Sequence, residues 1–245
     1  KQEITRLYWE NRNLMKEDIF GEDERELYYR TTVKMDDVTA QDSLRNLSVW
    51  MERYYGKKVI ILLDEYDTPM QEAYVQGYWD EFTSFVRSLF NASFKTNPYL
   101  ERAIMTGITR VSKESIFSDL NNLRVVTTTS NLYADCFGFT EEEVFAALDE
   151  YGMSDKKDEV KQWYDGFTFG EHRDIYNPWS ILNFLDKGKF DIYWANTSSN
   201  SLVGKLIREG NRSIKEKSER LLEDETIRTT LDEQIVYDQL NGNEQ

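Results

Sequence analysis

The 245-residue sequence predicts an α/β fold, with a parallel sheet and flanking helices in its first half and a mainly helical second half. Two observations support this prediction. Short apolar runs alternate with amphipathic helical segments before Asn131, an order typical of parallel sheets. Beyond Asn131 the chain carries helix-capping signals and charged helical segments instead. We therefore predict an α/β core over 1–135 and a helical, lid-like subdomain over 136–245.

Five segments of the first half justify the α/β prediction, in chain order. Apolar residues at helical spacing between Leu44 and Tyr54 predict a helix that leads into the first strand. The unbroken apolar run Val59–Leu63 predicts a strand buried on both faces. Phe82–Phe90 carries apolar residues at i, i+3, i+4, i+7 and i+8, the pattern of an amphipathic helix. Two further strands are predicted in RAIMTGITR (102–110) and LRVVTTTS (123–130).

Helix signals dominate the second half. Thr140 followed by Glu143 forms a capping box, which predicts that a helix begins there. Asn177 and Pro178 suit the cap and the first turn of another helix. The charged segment 201–222 predicts one or two further helices.

Composition excludes several classes of function. The formal net charge is −15, which argues against direct nucleic-acid binding because phosphates require a basic face. One cysteine and one histidine leave little support for disulfides, zinc clusters or a Ser-His-Asp triad. No stretch approaches the ~20 apolar residues of a membrane span, and no signal peptide opens the chain. We therefore expect a cytoplasmic protein without membrane contact.

Three carboxylates follow the first predicted strand, namely Asp64, Glu65 and Asp67. Ligands bind outside the carboxyl ends of the strands in open parallel sheets, so these acids lie where a ligand is expected. In nucleotidases with a phosphate-binding loop, an Asp–Glu pair at such a strand end holds magnesium and polarises the attacking water. The alternative is that the carboxylates stabilise the N-terminus of the following helix, a role that suits Asp67 in particular.

Two other patterns limit this interpretation. Haloacid-dehalogenase-type phosphatases need a second Asp two residues after the first, and Tyr66 occupies that position here. A phosphate-binding loop has the pattern GxxxxGK[ST]. Gly56, Gly188 and Gly204 each precede a lysine, but no Ser or Thr follows that lysine. The sequence therefore contains no loop of this type.

Six segments together resemble the predicted AAA-ATPase-like family of bacterial and archaeal proteins, a branch of the P-loop NTPase superfamily. They occur in the order KKVIILLDEYDTP, RAIMTGITRVSKESIFSDLNNL, CFGFTEEEV, WYDGFTFG, IYNPWSILNFL and YWANTSSN. The resemblance runs from about Leu44 to the end of the chain. Members carry their Walker A loop N-terminal to this region, and many carry a C-terminal PD-(D/E)XK nuclease-like domain. We therefore expect a fragment of a longer ATPase with a partial P-loop NTPase/AAA-type sheet.

The resemblance also implies roles for individual residues. Asp64 and Glu65 match the Walker B acids, so Asp64 would coordinate hydrated magnesium and Glu65 would activate water. Thr106 and Thr109 lie where such proteins place a polar sensor for the γ-phosphate, and Thr109 is the preferred candidate. For Arg110 two roles stay open, namely a contact with a phosphate and a structural ion pair.

The function that the resemblance implies is the binding and hydrolysis of Mg-ATP by the complete protein, as a cytoplasmic molecular switch. ATP and Mg²⁺ are the expected cofactors, and a C-terminal nuclease-like domain is a possible addition in the parent protein. Because the phosphate-binding loop is missing, we expect this chain alone to be inactive. The alternative is a non-catalytic protein-interaction or regulatory module derived from an ATPase domain. The sequence leaves a homo-oligomer open.

Overall fold

The computed structural model describes residues 1–108, 117, 120, 122–194, 204, 207–208, 210–223 and 225–228. These residues fall into two compact units, the first drawn from Lys1–Asn122 and Leu202–Gln245 and the second from Leu123–Ser201. Both units combine helices with a small sheet, so the α/β class is confirmed. The P-loop type of the sheet and the domain boundary after Asp135 stay predictions.

Three helices open the first unit: α1 (Gln2–Glu10), α2 (Glu22–Arg30) and α3 (Asp37–Tyr55), with a 3₁₀ turn at Arg12–Lys16. Helix α3 is the helix predicted before the first strand. It begins where the Asp36 carboxylate accepts a hydrogen bond from the Thr39 amide at 2.8 Å. The apolar faces of the three helices share one core, which consists of Tyr8, Leu14, Met15, Phe20, Tyr28, Leu47 and Trp50.

The sheet of the first unit has two parallel strands, β1 (Val59–Leu63) and β2 (Leu100–Met105). The crossover between them contains α4 (Thr68–Gln76), α5 (Trp79–Phe90) and a π-helical turn at Asn91–Lys95. Helix α5 confirms the amphipathic pattern, since Val86 and Phe90 are buried. The register pairs Leu62 with Ile104 and Leu63 with Met105, so the two strands end side by side.

One face of this sheet is uncovered. Ile60, Leu62 and Ile104 lie on it with 60%, 72% and 49% of their surface exposed. The prediction that β1 is buried on both faces is therefore wrong. A continuous apolar run satisfies the strand's own preferences, but it does not specify that a second layer covers the strand.

The second unit surrounds a three-stranded antiparallel sheet in the order β3–β5–β4. Its strands are β3 (Phe139–Thr140), β4 (Phe167–Phe169) and β5 (His172–Tyr176). Its helices are α6 (Glu141–Glu150), α7 (Lys157–Tyr164) and α8 (Pro178–Lys187), with a 3₁₀ turn at Ser154–Lys156. Their shared core consists of Val144, Leu148, Val160, Tyr164, Tyr176, Ile181, Phe184 and Leu185.

Both predicted helix starts of this unit are confirmed. The Thr140 hydroxyl accepts from the Glu143 amide at 3.3 Å, and the Glu143 carboxylate accepts from the Thr140 amide at 2.9 Å. The Asn177 side chain accepts from the Ser180 amide at 3.1 Å, with Pro178 in the first turn.

The third predicted strand, 123–130, is wrong, because this segment forms no strand. Two of its backbone carbonyls are used otherwise. The Thr127 carbonyl accepts from the Ser130 amide in a turn, and the Thr128 carbonyl accepts from the Gly170 amide at 2.8 Å. The β-branched residues of this segment favour a strand locally, but a turn and a long-range bond engage its backbone.

Within the charged segment predicted to be helical, Arg212–Leu222 form helix α9, which buries none of its residues. None of the helices in the described part of the chain has the length and apolarity that a membrane crossing needs.

Candidate functional site

The candidate site lies where β1 and β2 end together. Beyond the last pair of the ladder, the Thr106 amide donates to the Leu63 carbonyl at 2.9 Å. The Thr106 carbonyl in turn accepts from the Tyr66 amide at 3.0 Å. The two segments therefore stay hydrogen-bonded to each other just past the strands, and these bonds fix the backbone that carries the acids.

Two residues that the sequence singled out meet at this point. The Thr106 hydroxyl donates to Oδ1 of Asp64, and the same oxygen accepts from the Glu65 amide at 3.0 Å. Asp64 is exposed, and its other oxygen has no hydrogen bond to any residue that the structure describes. The arrangement presents a carboxylate oxygen to solvent while the opposite oxygen fixes its orientation.

Glu65 adopts a left-handed backbone conformation, with φ +50°. This conformation is unfavourable for a residue with a β-carbon, and such residues concentrate at functional sites. It turns the chain between β1 and α4, where the Glu65 carbonyl accepts from the Thr68 amide at 3.1 Å. The side chain is exposed, and within the described residues its carboxylate has no hydrogen-bond partner. Among the described contacts, only those of the backbone orient Glu65.

Asp67 occupies the N-cap position of α4, but its carboxylate does not cap that helix. It is 1% exposed, and its Oδ2 accepts from the Ile108 amide at 3.1 Å and from Gln71 Nε2 at 3.0 Å. The prediction of a helix-capping side chain is therefore wrong. The signal for the observed role is the Gln71 amide four residues on, which lies on the same side of the helix.

Thr109 and Arg110, the other two predicted site residues, lie outside the described residues. Of the three predicted positions that follow β2, only Thr106 can therefore be placed beside the acids.

The oxygen ligands at the strand ends suit magnesium better than a metal ion that needs three or more protein side chains as ligands. Among the described residues, no three His, Cys, Asp or Glu side chains converge on a metal position. Magnesium usually keeps several waters and takes one or two carboxylates together with substrate phosphates. The single exposed carboxylate of Asp64 fits that requirement.

A separate charged cluster lies in the second unit around Lys161. Its ammonium group contacts Glu141 and lies 3.6 Å from Asp174, and the Glu141 contact raises the pKa of Lys161. Burial raises the pKa of Asp165, and the like charge of the neighbouring Asp174 carboxylate adds to the shift. Burial likewise raises the pKa of Tyr176, whose hydroxyl lies 3.3 Å from Glu141. The second unit thus holds four charged side chains together, three of them acidic.

Comparisons with known proteins concern mainly the first unit. Residues 6–117, which include Asp64, Glu65 and Thr106, match the family model described as Predicted AAA-ATPase. The chain is also 31% identical over 156 residues to the "Uncharacterized protein in vnfD 5'region" of Azotobacter chroococcum mcd 1. The alignment covers 63% of this chain and 30% of that relative, so the chain spans less than a third of the relative's length. No solved structure matches the chain.

Proposed function

We propose that this chain, whose residues 6–117 match the model of the predicted AAA-ATPase family, is the central part of an ATPase. The complete protein would bind and hydrolyse Mg-ATP and act as a molecular switch. The observation that carries this proposal is the contact between the Thr106 hydroxyl and the Asp64 carboxylate at the ends of two adjacent parallel strands. Ligands of open parallel sheets bind at this edge.

The residues at the strand ends would divide the work. Asp64 would hold a hydrated magnesium ion through its solvent-facing oxygen, and bound magnesium would neutralise phosphate charge. Glu65 would orient the attacking water and accept its proton, a role that requires a carboxylate within hydrogen-bond reach of that water. Thr106 keeps Asp64 oriented through its hydroxyl, and it remains the weaker candidate for the γ-phosphate sensor. The phosphate-binding loop would come from outside these residues.

Thr109 and Arg110 remain proposed phosphate contacts, with Thr109 as the preferred sensor. ATP is the proposed nucleotide partner. A nuclease-like domain and a homo-oligomer are proposals for the parent protein and have no part in the geometry of this site.

The test is Glu65→Gln in the complete protein. It should keep nucleotide binding and lower turnover by about 100-fold or more, because proton transfer by a positioned side chain contributes about 10²–10⁴-fold. Glu101→Gln is the matched control, since Glu101 is an exposed glutamate near the start of β2, at the opposite end of the strand from the candidate site. The control should leave turnover unchanged.

Two outcomes would contradict the proposal. Equal turnover of the Glu65→Gln and parent proteins would remove Glu65 from the mechanism. A parent protein that neither binds nor hydrolyses ATP would instead favour the non-catalytic interaction module. The uncovered apolar face at Ile60, Leu62 and Ile104 suits that second candidate, because large exposed apolar patches mark interaction sites. Its biological output would then be insensitive to Asp64→Asn and to Glu65→Gln.

A further inference from the structure

Asp67 is a buried carboxylate that the proposed mechanism does not use. It is 1% exposed, whereas its neighbours Asp64 and Glu65 are exposed. Burial of a charged group is unfavourable unless hydrogen bonds compensate for the lost water. The Ile108 amide and the Gln71 side chain supply such bonds at 3.1 and 3.0 Å. These two hydrogen bonds therefore help to offset the cost of burying the Asp67 carboxylate.

The bond to Ile108 joins two chain segments that are 41 residues apart in sequence. One segment is the start of α4, which follows the acids. The other is the loop after β2, in which Ile108 stands two residues beyond Thr106. Bonds to a carboxylate are stronger than bonds between neutral groups, so this contact should hold that loop to the β1 end more firmly than the neighbouring backbone bonds do. It adds one further contact between the two segments beyond the backbone hydrogen bonds among Leu63, Tyr66 and Thr106.

Gly107 shows that the two segments approach closely. A β-carbon at this position would lie 2.5 Å from Oδ1 of Asp67 and 2.8 Å from Cε1 of Tyr66. Tyr66 is itself packed edge-on against Phe117, with ring centroids 5.5 Å apart. Glycine is thus required here by space, because Asp67 and Tyr66 fill the volume that a side chain would need.

We infer that Asp67 is a positioning residue for the ATPase site: it fixes the loop after β2 so that Thr106 stays against Asp64. The inference rests on the proposed function and deepens it. Asp67 acts through Ile108 and Gly107, and it touches neither nucleotide nor metal. Because misplacement of a catalytic group by about 1 Å can cost about 100-fold in rate, loss of this link should be visible in turnover.

The first measurement is amide hydrogen exchange by NMR on the 245-residue chain, which needs no ATPase activity. Asp67→Ala should accelerate exchange of the Ile108 amide by about 10-fold or more, the equivalent of one lost bond to a charged group. The Val59 amide, which donates to the Tyr99 carbonyl at the other end of the sheet, is the internal reference. It should keep its exchange rate.

Three further variants sharpen this measurement. Asp67→Asn retains an oxygen for the Ile108 amide and should exchange like the parent chain. Gln71→Met is the matched control, because it removes the other donor to the same oxygen and leaves the loop contact intact. Gly107→Ala displaces the loop without changing the carboxylate, and it tests the inference independently if Asp67→Ala fails to fold.

The second measurement is turnover of the same variants in the complete protein, normalised to the folded fraction. Asp67→Ala and Gly107→Ala should lower kcat by about 10-fold or more, while Asp67→Asn and Gln71→Met should stay within about 3-fold of the parent protein. Acceleration of Ile108 and Val59 exchange together would mean that Asp67 only stabilises the fold, which overturns the inference. Local acceleration with unchanged kcat would overturn it as well. A parent protein without ATP turnover would refute the proposed function, and the inference with it.

Discussion

Glu65→Gly should make the chain more stable while it removes a proposed catalytic group. Glu65 has φ +50°, a conformation that costs a residue with a β-carbon about 1–2 kcal/mol and costs glycine nothing. Glycine loses roughly 0.5–1 kcal/mol more entropy than other residues on folding. The exposed side chain has no hydrogen bond to the described residues, so the substitution removes no described hydrogen bond. The net gain in the free energy of unfolding is therefore about 0.5–1 kcal/mol.

Thermal unfolding of the 245-residue chain measures this gain. A stabilisation of this size should raise Tm by about 1–4 °C. Glu65→Gln is the matched control, because it keeps the β-carbon and should leave Tm within about 1 °C. In the complete protein, both variants should lose turnover by about 100-fold or more. Stability and activity would then change in opposite directions at one position.

The reasoning would be refuted by a lower Tm for Glu65→Gly, since that would show that the glutamate side chain stabilises the native chain. A gain in Tm with full turnover would leave the strain argument intact and refute the catalytic role. The two claims about Glu65 can therefore fail separately.

Three further predictions concern the fold and its charges. Leu148→Ala should lower the free energy of unfolding by about 3–5 kcal/mol, because Leu148 is fully buried. Leu62→Ser should change it by no more than about 0.5 kcal/mol, because Leu62 is 72% exposed. Urea denaturation compares the two variants. Thr140→Ala should cost about 1 kcal/mol in the same assay through loss of the α6 cap, and an unchanged urea midpoint would exclude the cap as a stabilising element. Asp165→Asn tests the raised pKa of Asp165. The folded chain holds the Asp165 proton more tightly than the unfolded chain does. The stability that this group contributes is therefore present at acidic pH and is lost as the pH rises through the raised pKa. The amide needs no proton, so this variant should have a higher Tm than the parent chain at pH 7 and an equal Tm at acidic pH, where the Asp165 carboxyl is protonated in both the folded and the unfolded chain. A Tm difference that stays constant across this pH range would contradict the prediction.

Local signals in the sequence predicted much of the fold because they depend on neighbouring residues alone. The apolar spacing of Phe82–Phe90 predicted α5, and the pairs Thr140–Glu143 and Asn177–Pro178 predicted where α6 and α8 begin. These features are determined within one or two helical turns, so tertiary packing does not change them.

The errors arose where distant parts of the chain decide the outcome. The run Val59–Leu63 reads the same whether one or both faces of β1 are covered, and only the packing of other layers decides between these cases. The segment 123–130 favours a strand by composition, but its backbone is engaged in a turn and by Gly170.

The candidate site was predictable in part. The sequence pointed to Asp64 and Thr106 separately, and the parallel register brings them into contact. The burial of Asp67 was not predictable, because one of its partners, the Ile108 amide, is 41 residues away and is a backbone group that any residue type carries. Composition and spacing carry no signal for such a bond.

The bare side of the β1–β2 pair affects how experiments on this chain are interpreted. Dyes such as ANS fluoresce on exposed apolar surface and are commonly used to detect molten globules. Ile60, Leu62 and Ile104 offer such a surface to the dye while both strands remain paired. ANS fluorescence from a native preparation would therefore report an intact sheet with one open side, and near-UV circular dichroism is the appropriate test for loss of tertiary structure.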